Sequence, residues 1–124
     1  MKPKDPDELD FEITFYERIV SERPDYVEAL IPLAEAYTRK KLYDKGLQVD
    51  KRLSQLLKSD PTVHYNLACS YALVGNKKDA IRALKHAIEL GYMDFNHLRK
   101  DQDLKSLHGD PAFEKLVDYF LKDR

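Results

Sequence analysis

Three aspartates near the C-terminal end have the residue type, if not the full spacing, that a metal site uses. Asp101 and Asp103 are separated by one residue, and Asp110 follows them. Carboxylates suit Ca²⁺, but a calcium loop of the EF-hand type needs further oxygen ligands and a turn glycine at set positions. That ligand set is not visible here, and helix capping explains Asp101 and Asp110 more simply. We therefore expect no bound metal.

The histidines and the cysteine offer no further catalytic or metal-binding pattern. His64, His86, His97 and His108 include no His-Glu-x-x-His sequence and no pair four residues apart, the spacing that places two imidazoles on one helix face. Cys69 is the single cysteine, so an intrachain disulfide is impossible and we expect a buried apolar filler. With four glycines the chain also lacks a glycine-rich phosphate loop. The sequence therefore predicts no catalytic residues, no enzyme activity and no cofactor.

The composition favours a globular domain and argues against nucleic-acid binding. The hydrophobic share is 43% and the charged share 35% of 124 residues, which is enough apolar material for a core. Lys and Arg number 21 against 22 Asp and Glu, so the basic excess that neutralises phosphates is absent. Residues 1–10 lack the apolar core of a signal peptide, and no apolar run reaches the roughly 20 residues that span a bilayer. We expect a cytoplasmic protein that binds neither nucleic acid nor a membrane; a lumen reached by another route is the alternative compartment.

The sequence contains an internal repeat with a period of 34 residues (67 − 33 = 34). This repeat predicts the secondary structure on which the histidines, Cys69 and the aspartates lie. Two segments align at this offset through a Leu-Ala pair, a tyrosine four residues after the leucine, and a small residue nine positions after the tyrosine. Small side chains let two helices approach closely, and leucine and tyrosine side chains fill the spaces beside them. The aligned pairs are Leu33 with Leu67, Ala34 with Ala68, Tyr37 with Tyr71, Gly46 with Ala80 and Leu47 with Ile81.

This pattern resembles the tetratricopeptide-repeat (TPR) family, whose repeats are pairs of helices, A and B, stacked into a right-handed superhelix. The resemblance implies an all-α solenoid that forms a single domain over residues 1–124. Residues 7–23 are expected to form an N-terminal half repeat, residues 25–59 the first repeat and residues 60–93 the second. Residues 94–124 resemble the end-of-group element that closes some bacterial TPR arrays. Such a cap is expected because the last repeat of a solenoid would otherwise expose a core face.

Capping residues mark the expected helix ends. Asp25 follows a proline and is predicted to cap the first A helix, which should end near Arg39. Asp60 and Asp110 each precede a proline, a combination that starts helices. Lys41 stands where the family has a glycine between helices A and B, so this turn is expected to be either altered or mildly strained.

Asp50 departs from the pattern because it falls within the apolar arc of the first B helix. A buried carboxylate without a partner is costly. We therefore predict a buried polar pair in which His64 is the first choice of partner, with Tyr65 and Tyr37 as alternatives. Its expected role is to specify the contact between repeats, not catalysis.

The resemblance implies a peptide-binding groove lined by the A helices. The Lys/Asn carboxylate clamp by which some TPRs hold the C-terminal tails of chaperones is absent, apart from Asn66. With about two repeats the groove is also short. The positions carried over from the family are Glu28, Ile31, Glu35, Thr38 and Arg39 in the first repeat and Thr62, Tyr65, Asn66, Cys69, Ala72 and Leu73 in the second.

The first helix has an apolar surface wider than one partner helix needs. At about 100° per residue its apolar side chains form two adjacent stripes. This surface either pairs with another protomer or a partner's helix, or is covered by the N-terminal tail or the end element. The sequence thus predicts a protein-interaction module with a protein or peptide partner, or alternatively a homo-oligomeric scaffold such as a homodimer. One stripe consists of Leu9, Ile13, Tyr16 and Val20, and the second, the possible interface, of Phe11, Phe15 and Ile19.

Overall fold

A computed structural model describes residues 6–121, and every regular element within them is a helix. The all-α class predicted from the sequence is therefore confirmed for this part of the chain. The predicted cap, residues 94–124, extends beyond the described residues. In chain order the helices are α1 (Pro6–Glu22), α2 (Val27–Arg39), α3 (Tyr43–Leu56), α4 (Pro61–Leu73), α5 (Lys77–Glu89), α6 (Phe95–Lys100), the 3₁₀ helix η1 (Gln102–Leu107) and α7 (Pro111–Leu121).

The chain divides into two compact units, with the boundary between Lys58 and Ser59. In the first unit α1 packs against α2, and α2 packs against α3. In the second unit α4 packs against α5, η1 packs against α4, and α7 contacts α5. Consecutive helices thus pair in α1–α2, α2–α3 and α4–α5, whereas η1 and α7 contact helices that do not directly precede them. The boundary between the units falls at the end of the predicted first repeat.

Helices α2 and α4 end in the same backbone hydrogen-bond pattern, displaced by 34 residues (75 − 41 = 34). This Schellman pattern satisfies carbonyl groups that a helix end leaves without a partner. It requires a positive φ, which is 65° at Lys41 and 84° at Gly75. Because glycine adopts this conformation freely and lysine does not, Lys41 lies in the strained turn predicted for it. The N–H groups of Leu42 and Asn76 donate to the carbonyls of Tyr37 and Tyr71 at 2.8 and 2.9 Å, and those of Lys41 and Gly75 donate to Thr38 and Ala72 at 3.0 Å.

Gly46 lies at a close approach between α2 and α3. A Cβ atom at this position would lie 3.3 Å from Oγ1 of Thr38 and 3.7 Å from Cβ of Tyr37. A Cβ atom at this position would therefore force the Thr38 hydroxyl to shift by a few tenths of an ångström. The core of the second unit depends on leucines. Its largest fully buried side chains come from α5 and from the C-terminal elements. These are Leu84, Leu98, Leu104 and Leu107.

Two of the predicted helix caps are confirmed and one is wrong. The carboxylates of Asp60 and Asp110 accept backbone hydrogen bonds from the first turns of α4 and α7, at 2.9 Å from Thr62 and from Ala112. Asp25, in contrast, does not cap α2, which begins after Tyr26, a residue that provides no side-chain cap. The Asp25 carboxylate instead accepts a hydrogen bond from Nε of Arg52 on α3, at 2.9 Å. The partner of the Asp25 carboxylate is therefore the Arg52 guanidinium on α3 and not the N-terminus of α2.

Candidate functional site

Helix α1 packs on α2 through one of its two predicted stripes. Leu9 and Ile13 are buried, and Ile13 lies in a cluster with Leu33, Ala36 and Tyr37 of α2. Burial of such side chains stabilises the contact by about 25 cal/mol per Å² of apolar surface. The partly buried members of the same stripe, Tyr16 and Val20, pack against this cluster.

Two polar contacts fix the orientation of α1 on α2. The Tyr37 hydroxyl donates to Oε2 of Glu17 at 2.5 Å, and Nζ of Lys40 lies 2.6 Å from Oδ1 of Asp10. Burial raises the pKa of the Tyr37 phenol, and the Glu17 carboxylate raises it further. The phenol therefore remains a donor at neutral pH. Because α1 is held along this side, its other stripe is directed away from α2.

The second stripe of α1, formed by Phe11, Phe15 and Ile19, is named here the α1 outer stripe. Phe11 is 76% exposed and Phe15 is 52% exposed, whereas Ile19 is half-buried. The Phe15 ring contacts the ring of Tyr16 edge-on, with centroids 5.2 Å apart. Two exposed aromatic rings on one face of an anchored helix form the kind of apolar patch that marks interaction surfaces.

The groove positions predicted on α2 form an exposed and largely charged row. Glu28, Glu35 and Arg39 are exposed, and Ile31 is 46% exposed. The Glu35 and Arg39 side chains pair with each other at 2.8 Å. Thr38 is half-buried, and its hydroxyl donates to the carbonyl of Ala34 within α2. This row is accessible to a partner, and its role as a binding surface stays a prediction.

The central groove positions predicted on α4 are covered by the C-terminal elements. Tyr65, Cys69 and Ala72 are buried, with 3%, 6% and 3% exposure. Leu73 is half-buried, and Thr62 and Asn66 remain exposed. The structure therefore places the centre of this half of the predicted groove in the interior of the second unit.

Asp101 makes polar contacts that hold the C-terminal elements against α4. The Tyr65 hydroxyl donates to Oδ2 of Asp101 at 2.6 Å, and the Cys69 thiol donates to the same oxygen at 3.7 Å. The Tyr65 ring also stacks on that of Tyr92, with centroids 4.2 Å apart and planes 7° from parallel. A second link is the Ser106 hydroxyl, which donates to the Ala72 carbonyl at 3.3 Å.

The buried donors at Asp101 are held in their neutral forms. Burial raises the pKa of the Tyr65 phenol and of the Cys69 thiol, and the Asp101 carboxylate adds to both effects. Burial also raises the pKa of Tyr92, to about 12. Because the thiolate is the reactive form of cysteine, a buried and protonated Cys69 is a poor nucleophile.

Cys69, Asp101 and Asp103 form a group of potential metal ligands. One donor atom from each lies within 4.8 Å of the others, and Nε2 of His97 is 3.1 Å from Oδ2 of Asp101. Hydrogen bonding already accounts for the arrangement, because Oδ1 of Asp101 caps η1 by accepting from the Asp103 N–H at 3.0 Å. Asp110 caps α7 instead of joining the group. The absence of a bound metal stays a prediction.

Asp50 and His64, the predicted polar pair, are both buried, with 5% and 8% exposure. They belong to different compact units, so their pairing stays a prediction. The His64 ring meets that of His86 edge-on at 4.5 Å. Tyr37 and Tyr65, the alternative partners, donate their hydroxyl protons to Glu17 and Asp101, and their pairing with Asp50 also stays a prediction.

Sequence reasoning missed three residues of these arrangements: Glu17, Tyr92 and His97. Glu17 lies on the polar side of α1, where nothing in the apolar periodicity marks it as a partner of Tyr37. Tyr92 follows the end of α5, at the edge of the second predicted repeat, and His97 lies outside both repeats. A repeat pattern carries no signal for contacts made by residues that do not repeat.

Over residues 6–121 the structure thus defines an all-helical protein with packed helix pairs and an exposed aromatic stripe. In the described residues no helix has both the length and the apolar character needed to cross a membrane. The chain matches no family model. It is similar to a protein from Arabidopsis thaliana that is described by name as chloroplastic, with 32% identity over 84 residues. That alignment covers 63% of this chain and 24% of the relative, so the similarity concerns a part of that protein.

Proposed function

We propose that this chain is a protein-interaction module that binds a partner protein or peptide through the α1 outer stripe. The observation that supports this most is the exposure of Phe11 and Phe15 on a helix whose opposite face is anchored. Packing a partner on these rings removes apolar surface from water, which is the main favourable term in association. The exposed row of α2, which includes Ile31, is a second surface for the same partner or another one.

We further propose that the module is of the TPR type, closed by an end-of-group-like element. The 34-residue repeat of side chains supports this assignment, as does the recurrence of the Schellman hydrogen bonds at the same interval. On this proposal the chain is an adaptor or assembly protein with no catalytic activity and no cofactor. It contacts neither nucleic acid nor a membrane.

The proposed compartment is the cytoplasm. The relative's name assigns that protein to the chloroplast. Imaging of a tagged chain in its source cells distinguishes the two compartments, and a plastid signal would overturn the cytoplasmic assignment.

The alternative function is a homo-oligomeric scaffold in which the outer stripe binds the same stripe of a second copy. The same exposed phenylalanines favour it, because a twofold interface buries one patch against itself. Light scattering coupled to gel filtration separates the two functions. A monomer at high protein concentration counts against the scaffold, and a stable dimer counts in its favour.

Site-specific photo-crosslinking tests the binding role of the stripe. A benzophenone amino acid replaces Phe15 in one variant and Tyr119 in another; Tyr119 is an aromatic residue on α7 with 70% exposure. In extracts of the source cells, we expect a discrete adduct from position 15 and none of the same mass from position 119. Identical adducts at the two positions, or no adduct at position 15, would contradict the proposal.

A further inference from the structure

The α1 outer stripe has an acidic rim, from which we infer that its occupant is a basic amphipathic helix of a partner protein. This inference rests on the proposed function, because it names the chemistry of the partner that the stripe binds. It is carried by the placement of charges around Phe11 and Phe15 and by the exposure of both rings.

The helical period fixes which charges of α1 flank the stripe. At 100° per residue, Phe15 and Ile19 lie about 40° and 80° around the helix axis from Phe11. The same rotation places four carboxylates and one guanidinium of α1 within about 40° of this arc. Four of the five are exposed and Glu12 is half-buried, so acids outnumber bases by four to one along the rim. The flanking residues are Asp7, Glu8, Glu12, Arg18 and Glu22.

The acidic rim disfavours the other occupants of an apolar helix face. Two copies of the stripe would bring two acidic rims together, within the roughly 8 Å over which charges interact at physiological ionic strength. The cytoplasmic surface of a membrane carries anionic lipids and would repel the same carboxylates. A helix with Lys or Arg beside its apolar residues instead gains attraction and faster association from the rim.

The spacing of the two rings defines the form of this partner. Phe11 and Phe15 are four residues apart, so they are separated by about 6 Å along α1. Apolar side chains at i, i+3 or i+4, and i+7 of a partner helix match such a pair, as in other helix-in-groove complexes. The partner we expect therefore presents two turns or more of apolar side chains flanked by lysine or arginine.

Three synthetic peptides serve as the probes for this inference. The first is a fluorescein-labelled amphipathic helix of about five turns with leucines on one face and lysines on the other. The second keeps the leucines and carries glutamate at every lysine position. The third keeps the lysines and has its leucines scrambled around the helix. Fluorescence anisotropy measures binding of each peptide to the full chain at low salt. We expect the first to bind about tenfold or more tightly than either of the others.

Variants locate the binding on the stripe. We expect Phe11→Ala with Phe15→Ala to weaken binding of the lysine peptide about tenfold or more, and Tyr119→Ala to leave it unchanged. We expect Asp7→Asn with Glu22→Gln to weaken binding about threefold and to reduce its salt dependence. All the substituted side chains are exposed, and circular dichroism checks that each variant remains folded.

Each remaining outcome overturns the inference in a recognisable way. Equal binding of the lysine and glutamate peptides removes the charge argument, and full binding by the phenylalanine double variant places the site elsewhere. Binding of the chain to anionic vesicles, lost in the same double variant, would make a membrane the occupant. If crosslinking at position 15 still captures a protein, the proposed function stands and only the partner's chemistry is wrong.

Discussion

Asp101 joins several parts of the second unit through one carboxylate. Its Oδ2 atom accepts from Tyr65 and Cys69 on α4, and its Oδ1 atom caps η1. Hydrogen bonds to a charged acceptor contribute about 1.5–3 kcal/mol each when partly buried. Because Asp101 is hydrogen-bonded both to α4 and to the first turn of η1, a substitution at Asp101 weakens the contact between these two helices.

The raised pKa of Asp103, two residues after Asp101, predicts that the stability of the fold depends on pH. Burial raises the pKa of Asp103 above its ordinary value of 3.8, and the charge of Asp101 raises it further, while His97 acts in the opposite direction. The folded state thus binds this proton more tightly than the unfolded state, so protonation of Asp103 stabilises the fold. The stabilisation is complete below pH 3.8 and is lost as the pH rises through the raised pKa.

We therefore expect Asp103→Asn to raise the urea midpoint at about pH 7 and to leave it almost unchanged at about pH 3. The amide carries no charge to desolvate at either pH, whereas the carboxylate is ionised near neutrality. Asp118→Asn, at an exposed position on α7, is the control for a change of net charge. A lower midpoint for Asp103→Asn near neutrality would show that the ionised carboxylate stabilises the fold.

Lys41 and Gly75 allow a matched test of backbone strain. Both occupy the positive-φ position of the same Schellman turn, 34 residues apart (75 − 41 = 34). We expect Lys41→Gly to raise the free energy of unfolding by about 1 kcal/mol, because a non-glycine residue is strained by about 1–2 kcal/mol there. Gly75→Lys should lower it by a similar amount. Urea denaturation measures both, and a destabilised Lys41→Gly variant would mean that the lysine side chain contributes more than its backbone strain costs.

Residue-level prediction from the sequence succeeded where the partner was close in the chain. Asp60 and Asp110 cap the helices that begin directly after them, since the acceptor and the donors lie within three residues. Asp25 failed because its partner, Arg52, lies 27 residues away on another helix. Helix capping depends on residues that are close in the chain. The local sequence therefore does not reveal a long-range ion pair that takes the place of a cap.

At the scale of elements, the C-terminal segment decides which part of the predicted groove is open. The apolar repeat correctly predicted helices, because the 3.6-residue period of a buried face is a property of each helix alone. It did not predict that η1 would pack on α4, since Tyr65 and Asp101 are 36 residues apart and Asp101 lies outside the repeat. The groove positions predicted on α4 therefore include Tyr65, Cys69 and Ala72, which are buried in the second unit.

Removal of the Asp101 side chain should weaken the packing of η1 on α4. We expect Asp101→Ala to lower the free energy of unfolding by about 2 kcal/mol or more, since it leaves the buried Tyr65 hydroxyl without its acceptor and removes the η1 cap. Cys69 is the single cysteine of the chain, so thiol labelling under native conditions reports exposure of this one site. Its labelling rate should rise in the Asp101→Ala variant.

Asp110→Ala provides the control for that experiment, because Asp110 caps α7 by the same type of hydrogen bond. We expect it to destabilise the fold by about 1 kcal/mol and to change Cys69 labelling much less than Asp101→Ala does. Equal labelling in the two variants would mean that the thiol becomes exposed through general destabilisation and not through release of the η1 contact.

At the scale of the whole molecule, the near balance of charge conceals a local imbalance. Lys and Arg number 21 and Asp and Glu 22 over the chain, yet the rim of the α1 outer stripe carries four carboxylates and one guanidinium. Composition argues against an overall basic surface for nucleic acid. It cannot reveal the rim, because that depends on which residues share a helix face and on which face packs against α2.

This imbalance predicts how self-association responds to salt. At about 50 mM NaCl we expect a monomer by light scattering, because two acidic rims repel each other across a twofold contact. At about 1 M NaCl the screening length falls to about 3 Å, so the repulsion weakens while the apolar attraction of the phenylalanines remains. Some dimer should then form, and Phe15→Glu should abolish it. A dimer at low salt that dissociates as salt is added would instead show that opposite charges join the copies, which would favour the homo-oligomeric scaffold over the basic helix.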